Sequence, residues 1–345
     1  MDYRIIKKSK ITEYLNNLIN EYVIFAPIEK DDIVLYDRIK SGDEVILDYS
    51  NSVNSPKEAV IPQLETLISC KNNEDITCVK EHLDEQKRFL LFGARPCDAR
   101  SLLFLDKVFN DEKCRDVYYM NRRNALTIIS LGCTRPQETC FCTTTGGSPF
   151  SSEGSDLLFV DIGDDYIIQV ITEKGAELVE KLDLENTQND ELTKMDIVIN
   201  KSKARIEPEM ELKILKDKLD SSFEGSAWEI LTEKCLSCGI CTYHCPTCHC
   251  FDMIDEETKG KVERIRLWDS CQFPHFTMQT SGFNPRPTYK ERYRQRIMHK
   301  FSYCFDNYNM AGCVGCGRCV SQCPVNLDIR QVLTAFYGKH EEIRL

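Results

Sequence analysis

The chain has 345 residues and a net charge of −11, with 42% hydrophobic and 29% charged residues. This globular balance allows buried cores along most of its length. The acidic surface disfavours nucleic acid as the main partner, since phosphate binding needs a concentrated basic face. No apolar run approaches the roughly 18–20 residues of a membrane span. The N-terminus carries neither an apolar signal segment nor a small-residue cleavage site, so the expected location is the cytoplasm.

Residues 1–205 read as a mixed α/β domain. "ITEYLNNLINEY" (11–22) has apolar residues at helical spacing. "DIVLYDRI" (32–39) and "EVILDY" (44–49) read as strands. "KRFLLFGA" (87–94) and "ALTIISLG" (125–132) are buried strands. Each runs into a cysteine-bearing loop, "ARPCDA" after the first and "CTRPQETCFCTTTGG" after the second. "LLFVDIG" and "YIIQVIT" form a hairpin turning at Gly163, Asp164 and Asp165, and "EKGAELVEKL" follows as a helix. Continuous apolar strands alternating with helices suggest a partly parallel sheet, whose ligands sit beyond the strands' carboxyl ends.

Residues 206–345 read differently, as helices leading into short helices and loops around cysteines. The overall expectation is α+β or α/β: the mixed domain, then a mostly helical ferredoxin-like dicluster domain with an insertion at 247–312. The basic stretch "YKERYRQRIMHK" (289–300) inside that insertion reads as a solvated or interface helix face.

The chain holds 19 cysteines. Without export signals, such clustering points to metal rather than disulfides. "CLSCGICTYHCP" (235–246) and "CVGCGRCVSQCP" (313–324) share the spacing C-x2-C-x2-C-x3-C-P. That run holds 4Fe–4S clusters, and its fourth cysteine ligates the other cluster. Cys235, Cys238, Cys241 and Cys323 are therefore expected to hold one cluster, and Cys313, Cys316, Cys319 and Cys245 the second. Paired C-x2-C zinc units are the alternative, but they lack the fourth cysteine and proline. Gly239, Gly315 and Gly317 permit the tight loops.

Cys97, Cys133, Cys140 and Cys142 follow the two apolar strands. If those strands are neighbours, the four thiols converge and suit a third cluster; otherwise they are buried thiols. Cys248, Cys250 and Cys271 form another group, able to bind metal with His249 or to add to or share the preceding set. Cys70, Cys78, Cys114 and Cys304 have no partner pattern and read as structural thiols. His244, His249, His275 and His299 read as packed or surface histidines. "TTTGGSP" (143–149) reads as a turn. There is no dinucleotide fingerprint, Walker loop or catalytic triad, so no catalytic side chain is assigned and no flavin is expected.

Taken in order, "FGARPCDA" (92–99), "CTRPQETCFC" (133–142), "CLSCGICTYHCPTCHC" (235–250), "LWDSC" (267–271), "RYRQRIMHK" (292–300) and the second run resemble one family. Its members are iron–sulfur subunits of cytoplasmic anaerobic redox complexes. They include the A subunit of anaerobic sulfite reductase, the beta subunit of sulfhydrogenase-type soluble NiFe hydrogenases and heterodisulfide-reductase-linked subunits. "FGARPCDA" is closer to the last two. The resemblance implies an electron-transfer subunit between a flavoprotein that oxidises NAD(P)H and a terminal redox subunit, within a hetero-oligomer. It also implies roles for the cysteines outside the two runs. The competing expectations are a stand-alone flavin-dependent iron–sulfur oxidoreductase and an iron–sulfur redox sensor.

Overall fold

The computed structural model describes residues 2–71, 80–81, 87–181, 184–208 and 210–338. Cys78 lies outside them.

The main sheet has eight strands: β1 (Asp2–Lys7), β2 (Tyr22–Lys30), β3 (Ile33–Arg38), β6 (Arg88–Ala94), β9 (Leu126–Leu131), β10 (Leu157–Asp161), β11 (Asp165–Val170) and β12 (Glu185–Asn186). The spatial order is β12-β1-β11-β10-β9-β6-β2-β3. The four central strands, β10, β9, β6 and β2, run parallel, and the flanks are antiparallel. Strand β6 has apolar residues on both faces. Leu90 and Phe92 pack beneath the helix Ile11–Leu18, while Phe89 and Leu91 pack beneath the helix Pro96–Phe109. Alternate residues of a strand point to opposite faces, so a two-sided core demands this continuous apolar run.

The segment "EVILDY" is not a ladder strand. Ser41 caps a 3-10 turn over Gly42–Glu44, and only Val45 bridges to Ile28. Its apolar residues instead pack on the core, and the loop carries Tyr49 and Asn51 toward the cysteines. Strands β1, β2 and β4 (Leu64–Lys71) had no counterpart in the sequence reading.

A second, four-stranded sheet joins β4 and β5 (Lys80–Glu81) to a hairpin of β13 (Phe251–Thr258) and β14 (Lys261–Trp268). The insertion is thus not solely short helices and loops. Its hairpin is charge-rich and lacks an alternating apolar face, which hides it from periodicity. It is held because β14 pairs antiparallel with β4. Buried Arg266 pairs with Glu65 at 2.6 Å and also reaches Asp116, while Arg122 shares Glu65. A small two-stranded sheet, β7 (Asn110–Asp111) with β8 (Cys114–Arg115), completes the strands.

The helices Leu212–Ser221, Ala227–Thr232, Tyr289–Met298 and Ile329–Tyr337 pack on a third core of Trp228, Leu215, Leu219, Phe301, Leu333 and Phe336. Phe141 enters this core from the cysteine loop after β9. The basic stretch is not a solvated face. Arg292, Tyr293, Arg296 and Lys300 are buried, because the helix Tyr289–Met298 and the π-helical turn His299–Tyr303 thread between the cysteine loops.

Candidate metal centres

Among the described residues, cysteines line four cavities. Cys235, Cys238, Cys241 and Cys323 border the first, of about 470 Å³ including its solvent-open part, with Tyr293, Arg296 and Ile329. Cys245, Cys313 and Cys316 border the second, of about 300 Å³, with Phe141 and Lys300. Cys319 lies on the wall between these two. The fourth cysteine of each run thus crosses to the other run's cavity. In each run a backbone N–H two residues after the first cysteine donates to its sulfur: Ser237 to Cys235 and Gly315 to Cys313, both at 3.4 Å. Leu327 N donates to Cys323 Sγ at 3.2 Å. Gly239 and Gly317 begin the short helices of each run with φ of +78° and +77°, a conformation open to residues without Cβ.

The third cavity, of about 360 Å³, collects Cys97, Cys133, Cys140 and Cys142 with Arg95 and Asn51. Strands β6 and β9 are neighbours, so their loops meet at one sheet end. Cys97 lies in the first turn of the helix Pro96–Phe109. The Arg95 guanidinium is buried, stacks on Tyr49 at 3.9 Å and donates to Gly132 O at 3.2 Å. Gly315 and Cys316 of the second run form its far wall. Phe141 N donates to Gly315 O at 2.9 Å, and Asn51 Nδ2 to Cys316 O at 2.7 Å. "TTTGGSP" is a turn, with Arg100 Nη1 donating to Thr145 O at 2.8 Å.

Gly315 tests this junction. An added Cβ would lie 2.4 Å from the carbonyl carbon of Phe141, at a φ of +61°. Gly282 also has positive φ, but its Cβ would meet nothing within 4 Å. Both alanine variants carry a left-handed backbone cost of about 1–2 kcal/mol. Gly315→Ala is expected to lose clearly more stability than Gly282→Ala in denaturant unfolding. Equal losses would contradict close packing of the two loops.

The fourth cavity, of about 310 Å³, contains Cys248, His249, Cys250, Cys271 and His299. Cys304 also borders it, although its side chain belongs to the apolar cluster under the sheet. None of Cys248, Cys250 and Cys271 borders the third cavity. Cys70 lies on β4, and Cys114 is exposed on β8.

Among the described residues no three His, Cys, Asp or Glu side chains converge closely enough for a single metal ion. Burial raises Cys241, Cys313 and Cys142 to about 12 and Cys140 to about 11. Such thiols keep their protons at neutral pH until a bound cation draws them off. Cys271 departs in the other direction, and so does Cys245. The S–H of Cys248 and the Lys300 ammonium, at 3.3 Å, hold it well below the ordinary thiol range.

Cations unnoticed in the sequence surround these sulfurs. Arg296 borders the first, second and fourth cavities, and its Nη1 lies 3.5 Å from Cys248 Sγ. Lys300 also donates to Gly312 O at 2.7 Å and Thr247 Oγ1 at 3.0 Å. Buried Arg318, in the second run, grips buried Asp98 of "PCDA" through Nη1–Oδ1 at 2.5 Å and Nη2–Oδ2 at 2.9 Å. Basic residues flanking the cysteines in "ARPC", "GRC" and "RIMHK" were the available signal, but a basic residue ordinarily lies at the surface.

Residues 234–327 match the family model of a 4Fe–4S dicluster domain. Along nearly the whole chain there is similarity to sulfhydrogenase 2 subunit beta of Pyrococcus furiosus, 31% identical over 339 residues, covering 96% of this chain and 98% of that protein. No solved structure gives a significant match. With its dicluster domain and near-full-length similarity, the chain belongs to the sulfhydrogenase beta-subunit family of iron–sulfur proteins.

Proposed function

We propose that this chain is the iron–sulfur electron-transfer subunit of a cytoplasmic anaerobic redox complex, with three 4Fe–4S clusters. Cys235, Cys238, Cys241 and Cys323 would hold one, Cys245, Cys313, Cys316 and Cys319 the next, and Cys97, Cys133, Cys140 and Cys142 the third. Bound in such sites, 4Fe–4S clusters supply one-electron couples whose potentials depend on ligands, sulfur hydrogen bonds and exposure.

The observation that carries the reading is the continuity of the cavities. Cys319 separates the first from the second, and Cys316 the second from the third. The first opens at the surface beside exposed Cys238 and Leu236. The protein shell excludes water from the inner sulfurs and supplies fixed cations against thiolate charge. The partners on this reading are a flavoprotein that oxidises NAD(P)H and a terminal redox subunit. The relative's name favours a hydrogenase over a heterodisulfide-type or sulfite-reducing subunit. No helix among the described residues is long and apolar enough to cross a membrane.

The test is to purify and reconstitute the chain anaerobically. The expected product lacks flavin absorbance, is bleached by dithionite and is not reduced by NADH or NADPH alone. Adding a flavoprotein that co-purifies from the native host should restore reduction by nicotinamide. Retained flavin with direct nicotinamide oxidation would instead make the chain a stand-alone oxidoreductase.

The charge argument gives a further expectation. Lys300→Met removes a buried positive charge beside Cys245, so the midpoint potential of the adjacent centre should become more negative in an EPR redox titration. Lys300→Arg should restore most of the shift. Unchanged potentials in both variants would leave Lys300 with packing alone.

A further inference from the structure

Among the described residues, several buried cations have no acidic partner, and three of them gather on the Cys248 side. Lys57, Arg296 and Lys300 are each no more than 4% exposed, and none is paired with a carboxylate among the described residues. An unpaired buried cation costs several kcal/mol. The Arg296 Nη2 group, moreover, is a buried donor with no hydrogen-bond partner among the described residues. Two of these cations lie against sulfur. Arg296 Nη1 is 3.5 Å from Cys248 Sγ, and Lys300 Nζ is 3.3 Å from Cys245 Sγ. Lys57 Nζ donates to Cys248 O at 3.0 Å and lies 4.1 Å from the centre of the Trp268 ring. Arg296 thus lies against a sulfur that belongs to neither ferredoxin run.

Hairpin register assembles that sulfur. Phe251 pairs with Trp268, and Asp269 N donates to Cys250 O at 3.0 Å. Cys250, entering the hairpin, is thereby brought against Cys271, just beyond its end. Both cysteines border the fourth cavity. Gln272 Nε2 lies 3.5 Å from Cys271 Sγ, so this sulfur too has an N–H group beside it. His249 completes the wall, its Nδ1 donating to Thr247 O at 2.9 Å. That bond fixes the tautomer with the lone pair on Nε2, the arrangement seen when a histidine ligates metal.

We propose that Cys248, Cys250, Cys271 and His249 Nε2 hold a fourth iron–sulfur centre, in a cavity separate from the other three and beside the second. This rests on the electron-transfer reading above and adds a branch to its row of centres. Lys57, Arg296 and Lys300 compensate its charge.

The test counts iron and acid-labile sulfide per anaerobically reconstituted full-length chain, in the native protein and in Cys250→Ala/Cys271→Ala. Four cubane centres correspond to about sixteen iron atoms and three to about twelve. The expected result is about sixteen, falling by a quarter in the double variant while the EPR signals of the ferredoxin-type centres persist. Iron content unchanged by the double substitution overturns the fourth centre and leaves the electron-transfer reading intact. Absence of any iron–sulfur signal from the native chain overturns that reading itself. If the double variant does not fold, the single variant His249→Ala replaces it. A changed EPR or Mössbauer signature of one centre supports the proposal, and spectra identical to native overturn it.

Discussion

Cys245→Ala is expected to remove the centre framed by Cys313, Cys316 and Cys319 and to leave the one framed by Cys235, Cys238 and Cys241. The geometry behind this is the crossing of the two runs. Cys245 belongs in sequence to the first run, yet it borders the second cavity and not the first. It is buried, and its sulfur is held by Lys300 at 3.3 Å and Thr247 Oγ1 at 3.2 Å. Alanine there deletes one of the four proposed ligands and leaves the Lys300 ammonium without its sulfur partner, so loss of that centre should be near complete. Cys323→Ala should do the converse, since Cys323 lies in the first cavity. EPR of the dithionite-reduced chain, with iron counted alongside, separates the two cases. If Cys245→Ala spared the second-run centre and lost the first, the crossed ligation would be wrong.

Asp98→Ala should be the most destabilising substitution away from the cysteines. The Asp98 and Arg318 side chains are respectively 0% and 1% exposed, and they join the "PCDA" turn to the second run. Arg318 Nε and Nη2 also donate to Ser52 O and Oγ, both at 3.0 Å. Removing the carboxylate strands a guanidinium in the interior, which typically costs about 3–5 kcal/mol. Glu224→Ala, at a rim pair whose acid is 82% exposed, should cost under about 1 kcal/mol. Denaturant unfolding of the reconstituted proteins compares them. Partial recovery in Asp98→Leu/Arg318→Met would show that the loss comes from the stranded charge rather than from a cavity. A loss for Asp98→Ala no larger than that at the rim would contradict the junction role.

The parts of this protein legible in the sequence were those with a local cause. Strands β6 and β9 are readable because a strand buried on both faces must be apolar throughout. The two ferredoxin runs are readable because cluster ligation demands close cysteine spacing within one loop. The convergence of Cys97 with Cys133, Cys140 and Cys142 was a conditional inference. Its condition, adjacency of the two strands, is met in the sheet.

The rest depended on partners distant in sequence. The hairpin β13–β14 has no apolar alternation and exists by pairing with β4, nearly two hundred residues away. The basic helix reads as solvent-facing because Arg and Lys usually are. Only the tertiary arrangement surrounds Arg296 and Lys300 with thiols, where positive charge offsets sulfur. The sequence by itself determined the central strands and the spacing of cysteines within each loop, since sheet periodicity and cluster geometry act over a few residues. The tertiary structure alone decided which loops share a cavity, which cations are buried among them and how Asp98 meets Arg318. Those outcomes follow from long-range packing and charge compensation, which no local pattern encodes.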